Sequence, residues 1–337
     1  MSFEPRLAAY IAARMPHADQ VAVHDLARIS GGASRETYRF RCTWTEGGEG
    51  RERRMILRRD PPASLIDTER RIEFEAYRAF HGSAVPVPEM LWLEEADDAL
   101  DHPFFIAEEI AGFQASPQLL FTPPYVDHLE KVGRRKWEIL GEIAKADPGP
   151  LAQVMPAVAA EDCWSRELGY WEGVLDEDQA EPLPVIRAAI RWLRKNPPPP
   201  AQKVGVVHGD YRTGNFLYDA AGGIHGILDW EMAHLGDPLE DVGWSLNPVW
   251  SFGRGLAGGL LPQAEAVAIW EAASGLKADP AALHWWTLFN CVKGQAIWIS
   301  SARAWLDGGN REPIMVYPPW ALQNAQDRAA LQVMGRL

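Results

Sequence analysis

Val206-Val-His-Gly-Asp-Tyr-Arg-Thr-Gly-Asn-Phe-Leu-Tyr-Asp-Ala-Ala-Gly-Gly-Ile-His-Gly-Ile-Leu-Asp-Trp-Glu231 holds the densest set of chemistry-bearing side chains in the sequence. Phe216–Tyr218 and Ile224–Leu228 have strand composition, and Asp219-Ala-Ala-Gly-Gly223 between them is a turn signal of hairpin length. The resulting hairpin is entered by Asn215 and left by Asp229. Their side chains are then expected at one open end, roughly 5 Å apart as cross-strand neighbours are. Asn and Asp offer hard oxygen ligands, which suits Mg²⁺ held jointly with phosphates. Asp210 lies close enough in sequence to share that rim, where its carboxylate could take a proton from a hydroxyl. Each residue also has a plain structural use, as a turn cap or in hydrogen bonds at a hairpin end.

Upstream of this segment the patterns are mixed. Residues 4–14 carry Leu7 and Ile11 at helical spacing. Tyr38, Phe40, Cys42 and Trp44 alternate with polar residues, a half-buried strand. A polar turn at 45–52 leads to a second strand at 54–59, a helical pattern covers 67–81, and strand candidates follow at 90–93 and 104–110. Residues 1–110 thus read as a small α+β unit, with Ala111-Gly112 as a joint. From 128 onward helical patterns dominate, at 128–146, 161–175, 184–195, 239–247, 262–274 and 280–306. The organisation expected is an N-terminal lobe at 1–110 and a mostly helical C-terminal lobe at 111–337.

Composition narrows the function classes. The 337 residues are 47% hydrophobic and carry a net charge of −13, which argues against non-specific binding to nucleic acid or to an anionic membrane surface. That charge is spread along the chain: residues 1–110 hold 14 Arg and 20 Asp+Glu, and contain no Lys. No apolar run reaches the roughly 18–20 residues that span a bilayer, and Met1–Arg14 does not read as a secretory signal. The three cysteines, Cys42, Cys163 and Cys291, are far apart and show no metal-binding spacing. A reduced, cytoplasmic protein is the expectation.

The spacing His-x-Asp-x4-Asn followed by Asp on the next strand matches the protein kinase catalytic loop and its metal-binding Asp. His208-Gly-Asp210, Asn215 and Asp229-Trp-Glu231 more directly resemble the aminoglycoside phosphotransferase-like kinases, the family of the choline kinase type. Ser30-Gly-Gly-Ala-Ser-Arg-Glu-Thr-Tyr38, Leu57-Arg-Arg59, Val85-Pro-Val-Pro88, Gly236-Asp-Pro-Leu-Glu-Asp241 and the segment around Phe289–Lys293 resemble one branch of it, the phosphotransferase domain fused to some acyl-CoA dehydrogenases. The resemblance runs in order from about residue 29 to 306. It implies an α+β, two-lobed protein kinase-like fold, with ATP and Mg²⁺ between a small antiparallel-sheet lobe and a larger helical one. The implied reaction is γ-phosphoryl transfer to the hydroxyl of a small molecule.

That resemblance assigns roles residue by residue. Asp210 is the base or orienter of the acceptor hydroxyl, and Asn215 and Asp229 hold the metal. Arg212 either neutralises the transferring phosphoryl group or is simply solvated. Ser30, Gly31, Gly32, Ala33 and Ser34 form a phosphate-approaching loop, or only a glycine turn. Arg58 stands where the family has Lys; its permanently charged fork can still clamp phosphate oxygens. Its carboxylate partner is Glu73, with Glu75 as the alternative, since the two cannot face the same way on a helix. The Glu108 carbonyl and the Ile110 N–H meet adenine. His208 is structural, Glu231 joins the metal or pairs with an Arg, Asp237 caps a helix and Asp241 braces the catalytic loop. Trp244, Trp250, Trp270, Trp285, Trp286, Trp298, Trp305 and Trp320 are mostly core, with some lining an acceptor pocket that suits an acyl or other partly apolar alcohol, such as a hydroxyacyl-CoA or hydroxy acid. Two other readings stay open: a catalytically silent nucleotide- or metabolite-binding protein, motivated by Arg58, and a metal-dependent phosphohydrolase built on His208, Asp210 and Asp229.

Overall fold

The computed structural model describes residues 3–29, 36–60, 70–308 and 312–337. The loop expected at Ser30–Ser34 and the first residues of the expected helix at 67–81 therefore lie outside the described residues. An opening helix, α1 (Phe3–Arg14), packs Leu7 and Ile11 onto a five-stranded antiparallel sheet. Its strands are β1 (Asp19–Ile29), β2 (Glu36–Glu46), β3 (Glu49–Arg59), β4 (Met90–Glu94) and β5 (Phe104–Glu108), in the order β1-β2-β3-β5-β4. Alternation in β2 places Phe40 and Cys42 in a core shared with Met55, Leu57, Phe104 and Ile106. The turn between β2 and β3 is tighter than the polar stretch 45–52 suggests. Gly47 and Gly48, both at positive φ (58° and 84°), make a two-residue connection, so Glu49–Arg53 continue the strand.

The helix α2 (Arg70–Phe80) follows β3 in sequence but buries its apolar face elsewhere. Phe74 and Tyr77 meet Phe105, and Phe80 stacks on Trp230 at 4.6 Å between ring centroids. These rings belong to the larger core, which runs through the C-terminal half. That half contains α3 (Pro117–Leu120), α4 (Leu129–Lys145), α5 (Cys163–Asp178), α6 (Pro184–Lys195), α7 (Leu239–Leu246), α8 (Gln263–Ser274), α9 (Pro280–Leu306) and α10 (Tyr317–Val333). Most of α9 is buried, with α7 and α10 packed along it, and α4 packs on α8. Four short strands interrupt the helices: β6 (Gly205–Val207) pairs with β9 (His234–Gly236), and β7 (Phe216–Tyr218) with β8 (Ile224–Ile227). The β7–β8 pair is the hairpin expected from the sequence, closed at its base by the Leu228 N–H donating to the Asn215 carbonyl at 2.9 Å. All three cysteines are buried and unpaired. Trp320 departs from the expected core placement and is 81% exposed. Among the described residues, no helix is long and apolar enough to cross a membrane.

Candidate active site

The loop 208–215 joins β6 to β7, and nearly every polar group in it is tied down. Asp241, at the start of α7, accepts the N–H groups of His208 (2.6 Å) and Gly209 (2.9 Å). Gly209 takes φ 84°, and a Cβ there would sit 2.4 Å from the Met232 carbonyl, so only glycine lets the loop pass beneath that backbone. The ammonium of Lys293, from the middle of α9, donates to the Gly209 carbonyl at 2.6 Å and pairs with Glu240 at 2.8 Å. Tyr211 donates its hydroxyl to the Lys136 carbonyl, and Thr213 to the Gly258 carbonyl.

His208 is fully buried, and both ring nitrogens are engaged. Nε2 donates to the Leu228 carbonyl at 2.9 Å, and Nδ1 accepts the Asp210 N–H at 3.2 Å. Burial pushes its pKa down to about 3, so the ring is neutral and serves as a strut. With neither nitrogen available as a ligand, the phosphohydrolase reading loses its histidine. The three-residue set Glu167, His234 and Glu240 has metal-like spacing elsewhere. Its acids, however, already face Arg166 and Lys293 at 3.0 and 2.8 Å, and its histidine is held at a pKa of about 9 because Glu167 and Glu240 outweigh burial. This is an internal ion network.

Asp210 sits at the centre of the loop with both carboxylate oxygens engaged. Oδ2 accepts from Asn215 Nδ2 at 2.7 Å; Oδ1 accepts from the Trp244 indole N–H at 2.8 Å and lies 3.2 Å from Arg212 Nε. Burial raises its pKa above the ordinary carboxylate value, and Asp229 adds to this; Arg212 and the hydrogen bonds from Asn215 and Trp244 oppose the rise. Arg212 is 28% exposed and lies over the Trp250 ring at 5.0 Å, so it is braced rather than freely solvated. Asn215, 3% exposed, spends its amide nitrogen on Asp210, which leaves its carbonyl oxygen as the atom able to meet a ligand. Asp229 follows β8 in the left-handed region (φ 62°, ψ 56°), a conformation Asp tolerates better than most residues. Its N–H donates to the Tyr77 hydroxyl of α2 at 3.0 Å, and its carboxylate stays 40% exposed.

Arg58 reaches this rim from β3. Its guanidinium lies 2.5 Å from Glu73, 3.0 Å from Asp229 and 3.8 Å from Glu231. Burial works against its charge, but the carboxylates outweigh that and hold its pKa above the usual arginine value. Of the two candidate partners, Glu73 is fully buried against Arg58, whereas Glu75 pairs with Arg78 on the outer face of the helix. Glu231 faces Arg58, and Asp237 accepts the Leu239 N–H at the start of α7. At the end of β5, the Glu108 side chain pairs with Arg53 at 3.0 Å and its N–H donates to the Glu89 carbonyl. The Ile110 N–H makes no hydrogen bond among the described residues. Ile110 Cδ1 lies 3.0 Å from where a Cβ on Gly226 would stand, so the β7–β8 hairpin closes up against the end of β5.

Two contributors escaped the sequence reading. Trp244 and Lys293 were legible only as an aromatic core residue and as part of a weak motif, yet one touches the carboxylate of Asp210 and the other the carbonyl just before it. A signal existed for Lys293: it is one of only two Lys or Arg residues in a 27-residue, largely apolar helix, where an unpaired charge would be costly.

The sheet lobe, the helical lobe and the hairpin rim between them define a kinase-like phosphotransferase. A profile of the phosphotransferase enzyme family matches residues 25–286, and the chain belongs to that family. Mouse acyl-CoA dehydrogenase family member 10 is 26% identical over 230 residues, covering 66% of this chain and 20% of the relative. Human acyl-CoA dehydrogenase family member 11 is 23% identical over 195 residues, covering 56% and 24%. The chain thus spans about a fifth to a quarter of the length of these relatives. Among solved structures, a candidate aminoglycoside phosphotransferase from Ralstonia eutropha superposes with a TM-score of 0.73 at 18% identity, over 98% of each chain. Aminoglycoside 2'-phosphotransferase-IIIa in its GDP complex gives 0.62 at 14% identity, over 97% of this chain and 99% of that one. At these identities the likeness speaks for the fold.

Proposed function

We propose that the chain transfers the γ-phosphoryl group of ATP, with Mg²⁺, to the hydroxyl of a small, partly apolar molecule such as a hydroxyacyl-CoA or a hydroxy acid. The observation that carries this reading is that Asp210 and Asn215 are hydrogen-bonded to each other at the hairpin base, where Asp229 leaves β8 and pairs with Arg58. The donor set fits a hard divalent ion: Asn215 presents a carbonyl oxygen because its nitrogen is committed, and Asp229 presents a partly exposed carboxylate. When bound there, Mg²⁺ supplies positive charge against the β- and γ-phosphate oxygens.

The protein's own groups do the rest by position and charge. Asp210 accepts the proton as the acceptor oxygen bonds to the γ-phosphorus and the bridging bond to ADP breaks. Arg58 holds the phosphates and Glu73 holds Arg58. Arg212 stands beside Asp210 to offset negative charge on the transferring group. The Glu108 carbonyl and Ile110 N–H receive adenine, and the division at 110/111 sets the cleft between the lobes. Trp244, Trp250 and Trp298 form a contiguous aromatic run beside Asp210 and Arg212, with centroid spacings of 5.3 and 6.1 Å. All three rings are buried and back the site rather than offer a surface; an acceptor with apolar surface is favoured instead by the acyl-CoA dehydrogenase names of the relatives.

The test is mass spectrometry of a metabolite extract incubated with the protein, Mg²⁺ and γ-labelled ATP, with Asp210→Asn as control. A labelled product formed by the wild type alone supports the proposal. Tight ATP binding with no transfer to any hydroxyl compound would favour the catalytically silent reading instead.

A further inference from the structure

Trp244 combines deep burial, a single polar atom and a functional neighbour. It lies on α7 and is 1% exposed. Its ring packs edge-on against Trp250, and the Lys293 ammonium lies over it at 5.4 Å. The helix that carries it is held close to α9 by Gly243, where a Cβ would fall 2.8–2.9 Å from the Trp286–Thr287 backbone. The indole therefore has little freedom to shift, and its one donor is aimed at Asp210 Oδ1 at 2.8 Å. An indole N–H is donor only and carries no charge to gain or lose. It can fix a carboxylate at any working pH without neutralising it, which a Lys or Arg could not do.

Accepting that Asp210 faces the acceptor hydroxyl, we propose that Trp244 is a positioning residue for phosphoryl transfer, its indole N–H fixing the Asp210 carboxylate in the orientation that meets that hydroxyl. The geometry is two-sided. Asn215 holds Oδ2 and the indole holds Oδ1, so rotation about the Asp210 side chain breaks one bond or the other. Arg212 also contacts Oδ1, but at 3.2 Å and from a partly exposed side chain.

The experiment separates the N–H from the ring. Trp244→Phe removes the donor and part of the packing. Site-specific replacement of Trp244 by benzothienylalanine keeps the bicyclic shape and removes only the N–H. Phosphate release from Mg·ATP with water as acceptor is followed in each protein, and Mg·ATP affinity is measured separately by calorimetry. A hydrogen bond to a charged group at typical strength predicts a rate about ten- to a hundred-fold lower in both variants, with Mg·ATP affinity unchanged. Loss of rate in Trp244→Phe alone, with the benzothienyl protein matching wild type in rate, would overturn the proposal and leave Trp244 a packing residue. An Asp210→Asn protein that keeps the wild-type rate would instead sink the reading of Asp210 on which the proposal stands.

Discussion

Replacing Lys293 by Met should destabilise the protein and slow it. The ammonium is 1% exposed, its partner Glu240 is fully buried, and no solvent is at hand to take up either charge. Removing one member of such a pair typically costs about 3–5 kcal/mol. His234 still faces Glu240 at 3.1 Å, which puts the expected loss near the lower end, about 3 kcal/mol. With about 2.1 cal/mol/K of unfolding entropy per residue, a chain of 337 residues should melt about 4 °C lower. The Gly209 carbonyl also loses its donor, so the backbone leading into Asp210 loosens. The assay is denaturant unfolding followed by tryptophan fluorescence, run on Lys293→Met, Glu240→Gln and the double variant. If the pair is buried as described, the double variant is less destabilised than the two singles summed, by about 1 kcal/mol or more. Strict additivity, or a single-variant cost below about 1 kcal/mol, refutes the reasoning.

Other expectations concern the rim and the network behind it. Asp229→Ala and Asn215→Ala should each raise the Mg²⁺ concentration needed for half-maximal turnover by ten-fold or more, read from metal titrations at fixed ATP, by about 1.4 kcal/mol for each ten-fold step. Arg58→Lys should retain nucleotide binding by calorimetry but lose reach, since a point charge replaces a fork that contacts Glu73 and Asp229 together. His234 binds its proton up to about pH 9 when folded and only to about 6.5 when unfolded. It therefore contributes stability that is fully present below pH 6.5 and is lost as the pH rises through 9. Unfolding curves at pH 6, 7.5 and 9.5 should show that decline in the wild type, and His234→Gln should lack this component.

The hairpin and its functional corners were legible because they rest on local rules: strand composition on both sides of a glycine turn fixes the pairing, and pairing fixes which residues flank it. Helices at 129–145, 163–178 and 280–306 were legible for the same reason, through periodicity or through length. Strand β1 was not, because its alternation is broken. Gln20 and Asp25 adopt positive φ, and the register to β2 shifts near each of them, so no period of two survives in Asp19–Ile29. Helix α10 was not expected; Pro318 and Pro319 occupy its first turn, where no N–H is needed. At the site, Glu73 could be separated from Glu75 only when the helix face was seen. The link from Trp244 to Asp210 spans 34 residues and leaves no mark in spacing.

The placement of α2 bears on how the activity is governed. In protein kinases the corresponding Lys–Glu ion pair is made or broken as that helix moves, and the movement is the switch. Here the helix is anchored twice to the far side of the cleft, by the Tyr77 hydroxyl on the Asp229 backbone and by Phe80 against Trp230. Swinging it outward would mean opening an aromatic core. A phosphotransferase held this way would have to break both contacts to use the switch of the protein kinases.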